Sequence, residues 1–318
     1  MKVVIPGGSG QVGTILARHF HAQGHEVVVL SRVFRTFPWR MAPWDGRTVD
    51  TWARELDEAD VVINLAGRSV NCRYTPEHRG EILDSRVDSV RAIGAAITKA
   101  KPRRRTWLQA STATIYAHRY DAPNDETTGI IGGNEPGAPS SWGFSIEVAK
   151  AWEENFNAVT APGTRKVRLR SAMVMSPDPG GIFATLLGLV RLALGGTAGD
   201  GRQYVSWIHE ADFIAAVEWI IAREQVTGAM NLAAPAPVPN RDFMGTLRDA
   251  WGMPVGLPAT RWMLEVGAFL MRTETELVLK SRRVVPGRLL KGGFTFRYPT
   301  WPEAAWALCE AVRGKRPI

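Results

Sequence analysis

Cysteine is nearly missing from this chain: among 318 residues there are two, Cys72 and Cys309. That excludes a disulfide framework and any cysteine-based metal site, and it fits a reducing compartment. Long hydrophobic runs are missing as well. The most apolar stretches, Ile182 to Leu194 and Phe213 to Ala222, are interrupted by Arg191 and Glu218, so no membrane span is expected. The first strand begins at the N-terminus, which leaves no room for a signal peptide. A soluble, cytoplasmic protein is expected. Internal repeats and low-complexity segments are absent too.

Acidic residues are in the minority, with a formal net charge of +8. The basic residues are mostly dispersed. Their densest clusters are Lys101 to Arg105, Lys280 to Arg283 and Arg313 to Arg316, without an interleaved aromatic groove or a helix-turn-helix pattern. A basic surface serving an anionic small ligand is expected rather than a nucleic-acid partner. Hydrophobic residues make up 45% of the chain, enough for a sizeable core. The twelve tryptophans follow no period and read as core or pocket-wall residues.

What is present begins at the amino end. The apolar run Val3 to Ile5 leads into Gly7-Gly8-Ser9-Gly10-Gln11-Val12-Gly13, and a helical pattern follows over Gln11–Ala22. Strand, glycine turn and helix in this order form a pyrophosphate cradle. Glycine lets the backbone approach the phosphates, and the free N–H groups at the helix start face them. A second strand over Val27 to Leu30 completes the unit. Where an acid ordinarily holds the ribose 2′-hydroxyl, the chain has Ser31-Arg32, with Arg35 and Arg40 nearby. A hydroxyl and a guanidinium fit a 2′-phosphate, so NADP(H) is favoured over NAD.

Further strands are expected at Val61 to Leu65, Thr106 to Ala110 and Lys166 to Arg170. Helices are expected at Thr48 to Leu56, Pro76 to Ala100 and Phe144 to Asn157. This alternation gives an α/β fold, a Rossmann-type doubly wound parallel sheet with a smaller C-terminal α+β lobe. The expected division is a nucleotide-binding domain over 1–174 plus 206–234 and a substrate lobe over 175–205 plus 235–318. Asp121 to Ser141, rich in Gly, Pro, Asn and acids, reads as a long surface loop. Asp212 reads as the cap of a helix that starts near it, with His209 as a hydrogen-bonding neighbour.

Three groups could carry chemistry. Asn64-Leu65-Ala66-Gly67 ends a strand with small residues over which a cofactor can pass. Ser111, Thr112 and Tyr116 follow the next strand, where hydroxyls face the ligand crevice. Lys150 lies on the helix after Phe144.

Together these motifs resemble the extended short-chain dehydrogenase/reductases of the NAD-dependent epimerase/dehydratase type. Glu81 to Arg86, Ala151-Trp152-Glu153, Trp207-Ile208-His209 with Asp212, and Arg283 to Leu290 narrow the resemblance to the epimerase family proteins, which have their own short C-terminal domain. It spans essentially the whole chain. The resemblance implies phosphate contacts from Gly7, Gly10 and Gly13, an adenosine-phosphate contact from Ser31 and Arg32, and cofactor contacts from Asn64, Leu65 and Arg86. It also implies that Thr112 is the substrate-oxygen residue and Lys150 the lysine of the Tyr-x-x-x-Lys pair. The position four before that lysine is Ile146, and Ser85 stands where the helper asparagine would be. Isoleucine cannot transfer a proton. Tyr116, Tyr120, His118, Tyr74 and His209 remain open as its replacement. The expected activity is NADP(H)-dependent oxidation–reduction or epimerisation of a small polar substrate, without a metal and with a homodimer left open. The alternative is a catalytically silent NADP(H)-binding sensor or scaffold.

Overall fold

A computed structural model describes residues 1–33, 35–101, 103–135, 138–139, 142–260, 262–265 and 274–314. Lys315 and Arg316 of the basic tail, Pro102 of the Lys101–Arg105 cluster, and positions 136, 137, 140 and 141 of the acidic loop lie outside the described residues.

The elements of the first half are β1 (Lys2–Pro6), α1 (Gln11–Ala22), β2 (Glu26–Ser31), β3 (Arg40–Pro43), β4 (Val61–Asn64), α2 (Pro76–Lys99), β5 (Arg105–Thr112), α3 (Gly143–Ala158) and β6 (Thr164–Ser171). The second half adds β7 (Met173–Met175), α4 (Ile182–Arg191), β8 (Tyr204–Val205), β9 (Trp207–His209), α5 (Glu210–Ala222), β10 (Gly228–Leu232), β11 (Val238–Pro239), α6 (Asn240–Trp251), α7 (Glu276–Leu279), α8 (Gly287–Lys291) and α9 (Trp301–Gly314). Seven parallel strands form one sheet in the order β3-β2-β1-β4-β5-β6-β10.

The continuous apolar runs of β1, β2 and β4 are explained by burial on both faces. Val3, Ile5, Val27, Val29 and Ile63 pack with Leu16 and Phe20 of α1 and with Phe213 and Val217 of α5. The alternate residues Val4, Val28, Leu30 and Val62 face Val90, Ile93 and Ile97 of α2 and Trp152 and Phe156 of α3. A separate apolar cluster joins Phe183, Leu187, Phe243, Leu247, Trp301 and Leu308 from α4, α6 and α9. There Phe243 and Trp301 stack at 3.9 Å.

The strands β1, β2, β4, β5 and β6 and the helices α1, α2 and α3 fall within about two residues of the sequence expectation, a usual boundary error, whereas the edge strand β3 has no counterpart in it. Three further features differ. The helix expected over Thr48 to Leu56 is a 3-10 turn over Thr51–Leu56. The Asp45 carboxylate accepts from the N–H groups of Arg47 and Thr48, and that of Asp50 accepts from Thr51, so both hold the preceding backbone in turns. Within the loop expected over Asp121 to Ser141, the chain is pinned at Asn124 and Glu126. Asn124 is fully buried, its N–H donates to Arg283 O, and the Glu126 carboxylate accepts from Asn231 N and Arg288 N.

The third difference concerns the start of α5. Asp212 does not cap it. The cap is His209, whose Nδ1 accepts from Ala211 N at 3.0 Å. Both Asp212 oxygens instead accept from the N–H groups of Arg297 and Tyr298, tying the C-terminal segment to α5. The His209 ring stacks on Tyr298 at 4.0 Å. Burial, aided by the charge of Arg297, lowers its pKa from 6.5 to about 4. A depressed folded-state value means the folded form binds this proton less readily than the unfolded chain. The stability that neutral His209 contributes is therefore fully present above pH 6.5 and is lost as the pH falls towards about 4. Thermal unfolding followed from pH 7 to pH 4 should show this loss. His209→Asn, which retains a capping oxygen without a titrating ring, should flatten the profile in that window.

Candidate functional site

The carboxyl ends of β1, β2 and β4 open onto a cleft of about 940 Å³, lined by Gly7, Ser9, Gly10, Leu30, Ser31, Arg32, Leu65, Ala66 and Gly67 among others. Its geometry depends on missing side chains. Gly7 has φ +74°, and a Cβ there would stand 2.6 Å from the Ala66 backbone. A Cβ on Gly13 would be driven into the Gly8 backbone. Two tight backbone approaches thus place the start of α1 against the end of β4. α1 begins at Gly10 with no side-chain cap and no acid in its first turn. Its N–H groups and positive dipole end are available to an anion. Gln11 Nε2 is buried without a hydrogen-bond partner, and its side chain lies against Gly181, just before α4. An uncapped helix start, a glycine cradle and an orphaned donor fit a dinucleotide pyrophosphate.

At the other end of this cleft, Ser31 Oγ bonds to Ser9 Oγ at 2.8 Å and to Val33 O at 3.0 Å, which fixes the β2 turn. Arg32 is exposed at the rim and forms no ion pair with a described residue. Arg47 and Arg68 share the rim with Asp45 and Asp88.

Gly7, Ser9, Gly10, Ser31, Arg32, Leu65, Ala66 and Gly67 line the cleft as the sequence suggests. Gly8, Gln11, Val12 and Gly13 shape it from behind. Asn64 is different. It is fully buried; its amide donates to Ser89 Oγ and Gln109 Oε1, and its oxygen accepts from Ala66 N. The side chain ties the turn after β4 to α2 and β5, and it does not line the cleft.

Arg86 also lies elsewhere. It lines a second cleft of about 550 Å³ with Val70, Tyr74, Ile82, Thr112, Thr114, Phe144, Ser145, Val148, Trp152 and Arg282. Thr112 sits at the end of β5, where its Oγ1 accepts from Thr114 N at 3.1 Å and its O–H remains a donor. Arg86 packs against Gly67, so the two clefts meet there.

Ile146 is buried and lines a small cavity with Gly133, Glu135, Trp142 and Lys280. Lys150, one turn later on α3, is half-buried, and its ammonium stands against Gly133, 3.3 Å from where a Cβ would be. It lines neither of the two larger clefts.

Tyr116 lines neither cleft. Its hydroxyl donates to Asn231 Oδ1 and accepts from Arg170, both at 2.9 Å, and burial raises its pKa. The reason is a buried network. Arg170 grips Glu153 through two bonds of 2.8 Å, Arg168 adds one of 3.2 Å, and Ser111 Oγ donates to Glu153 at 2.7 Å. Tyr116 is a member of that network. Of the other candidates, His209 caps α5, while His118 accepts from Ser281 N through Nδ1. Tyr74 is the tyrosine that lines the cleft with Thr112. Burial raises its pKa, partly offset by a bond with Ser145. The sequence left Tyr74 as one of five open candidates, because it lies before α2 and reaches the cleft only through the fold. Among the described residues no group of His, Cys, Asp or Glu could hold a metal ion, and no helix is long and apolar enough to cross a membrane.

An open parallel sheet with a glycine-lined cleft at its carboxyl edge defines a Rossmann-type, dinucleotide-binding protein of the short-chain dehydrogenase/reductase class. More narrowly, the chain belongs to the NAD dependent epimerase/dehydratase family, whose model matches residues 3–233, and residues 259–308 match a domain of unknown function, DUF1731. It is 30% identical to epimerase family protein YfhF of Bacillus subtilis over the full length of both chains. It is 31% identical to the human epimerase family protein SDR39U1 over 98% of this chain and all of the relative. The crystal structure of human SDR39U1 (isoform 2) with NADPH superposes with a TM-score of 0.84 at 28% identity, covering 98% of this chain and 99% of that one. A nucleoside-diphosphate sugar epimerase from Corynebacterium glutamicum gives a TM-score of 0.73 at 26% identity over 99% of this chain and 61% of that one.

The Glu153 network offers a direct test of how the site is held. Burial raises the Glu153 pKa, but the Arg170 guanidinium more than offsets it and leaves the carboxyl below its usual 4.5. Glu153→Ala would strand two partly buried guanidiniums and should cost about 3–5 kcal/mol in urea unfolding. Because a depressed carboxylate stabilises above its unfolded pKa, the wild-type advantage over Glu153→Gln should shrink as the pH drops below 4.5.

Proposed function

We propose that this protein binds NADP(H) and performs oxidation–reduction or epimerisation on a small polar substrate. The observation that carries the reading is the glycine-lined cleft with Ser31 and the unpaired Arg32 at its rim. The relative solved with NADPH supports the same assignment. In this reading the N–H groups at the start of α1 hold the pyrophosphate, and Arg32 holds the 2′-phosphate by charge-assisted bonds. The nucleotide supplies or accepts the hydride when bound. Thr112 donates its free O–H to the substrate oxygen; Lys150, which the resemblance would set on the nicotinamide ribose, stands against Gly133 outside both clefts and is given no part in this reading. The proton that accompanies the hydride passes to or from the substrate oxygen through Tyr74, which shares the Thr112 cleft and takes the part that Ile146 cannot play. Residues 1–174 plus 206–234 form the nucleotide domain and residues 175–205 plus 235–318 the substrate lobe, a division supported by the separate cluster around Trp301.

Titration of the purified chain should show tighter binding of NADPH than of NADH. Arg32→Ala should weaken NADPH by about ten- to a hundredfold, the worth of one charge-assisted contact, and leave NADH nearly unchanged. Equal affinities in the wild type would remove the role given to Arg32.

A second reading is favoured by Ile146 alone: a silent NADP(H)-binding module. Thr112→Val separates the two. Under the enzymatic reading it abolishes NADPH-dependent turnover across a panel of carbonyl compounds while NADPH affinity is retained. Wild-type protein that binds NADPH and turns over no member of the panel would favour the silent module.

A further inference from the structure

We propose that the cleft beside Thr112 is an organic-anion site, in which Arg86 binds the carboxylate of a small apolar acid that is the substrate. The proposal rests on the NADP(H) reading for its placement next to the nucleotide.

The cleft is cationic. Arg86 and Arg282 both line the cleft, and among the described residues none that lines it is acidic. Arg86 donates through one guanidinium nitrogen to Ile82 O at 2.9 Å and stacks over Trp152 at 5.0 Å. Among the described residues it meets no carboxylate. Arg282 donates to Thr114 Oγ1 at 3.1 Å and to the carbonyls of Lys280 and Glu276 at 3.3 Å, all neutral acceptors. The nearby Glu276 carboxylate is engaged by Ser145 at 2.6 Å and by the buried Lys280 at 3.3 Å. Glu276 stabilises the charges of Lys280 and Arg282, and Arg86 is the cation left without a carboxylate among the described residues. Arg86 is half-buried, and burial without a neighbouring carboxylate lowers its pKa to about 10.

A cation in a dry site costs stability unless an anion joins it. Chains keep such a liability where function requires it. The remaining walls decide what kind of anion fits. Val70, Ile82, Phe144, Val148 and Trp152 are apolar, and Thr112, Thr114, Ser145 and Tyr74 supply hydroxyls. This is a pocket for a compact organic acid with a carbonyl or hydroxyl near its carboxylate rather than for bare phosphate. Arg86 also packs against Gly67, a residue of the nucleotide cleft. A carboxylate on Arg86 would therefore bring the adjoining carbon of the acid to the junction of the two clefts.

The test uses the full-length chain with and without NADPH. Calorimetry measures phenylpyruvate, benzoate and octanoate, the methyl ester of phenylpyruvate and inorganic phosphate. Binding of at least one acid, with the ester at least about tenfold weaker than phenylpyruvate and phosphate weaker still, is the expected result. Arg86→Met should weaken the acid by about ten- to a hundredfold and leave NADPH affinity unchanged. It should also raise the melting temperature of the ligand-free protein, because it removes an uncompensated cation. A merely structural arginine would lower it. Three results overturn the inference: no acid binds, the acid and its ester bind equally, or Arg86→Met weakens NADPH and spares the acid. NADPH uptake without acid binding defeats this inference alone, whereas no NADPH uptake removes the reading on which it rests.

Discussion

The bidentate pair between Glu153 and Arg170 holds the site together. Glu153 projects from α3, the helix that carries Ile146 and Lys150, and Arg170 projects from β6. Ser111 joins them from β5, one residue before Thr112. Tyr116 and Asn231 extend the network to β10, and Asn231 connects onward to Glu126 and Val285. Helix, two central strands and the outer strand are thereby fixed in register at the carboxyl edge of the sheet. A buried ion pair gives little net stability relative to an apolar replacement, but half of one is costly. The arrangement is therefore all or nothing, which suits residues that must stay in place beside a reacting group.

That constraint explains two departures in the site. The family's tyrosine position is filled by Ile146, which is buried against a small cavity rather than facing a hydroxyl-lined cleft. The nearby tyrosine in sequence, Tyr116, belongs to the Glu153 network and is unavailable for proton transfer. On the other side of Thr112 lie Tyr74, Ser145 and two arginines, in an apolar-walled cleft next to the glycine-lined one. In the proposed reading, substrate recognition by charge and proton transfer by a phenol share that small volume.

The C-terminal segment reaches the sheet through backbone bonds as well as through apolar contacts of Val284, Leu289 and Phe294. Asp212 accepts from Arg297 and Tyr298, Glu126 from Arg288, and Asn124 bonds to Arg283 and Val285. Each is a buried or half-buried acceptor or amide meeting main-chain groups that would otherwise be unsatisfied. Arg282 and Lys280 are delivered to the clefts by this strapping. The acidic stretch after Asp121 therefore positions cations contributed from more than a hundred residues away.

Sequence by itself determined the architecture, because its causes are local. Uninterrupted valine runs make buried parallel strands, and glycines at 7 and 13 permit the close approaches that seat α1. The Ser31-Arg32 pair and the loss of the tyrosine at 146 were equally legible, since each is an identity at a fixed spacing. Tertiary structure alone decided which side chains share a volume. It turned Asn64 inward to Ser89 and Gln109, drew Tyr116 into a network with Arg170, moved Arg86 from the nucleotide groove to the neighbouring cleft, and gave the cap of α5 to His209 instead of Asp212. Each of these outcomes depends on a partner between two and 115 residues distant. Composition and periodicity describe what a residue can do, whereas only the packed chain fixes which partner satisfies it.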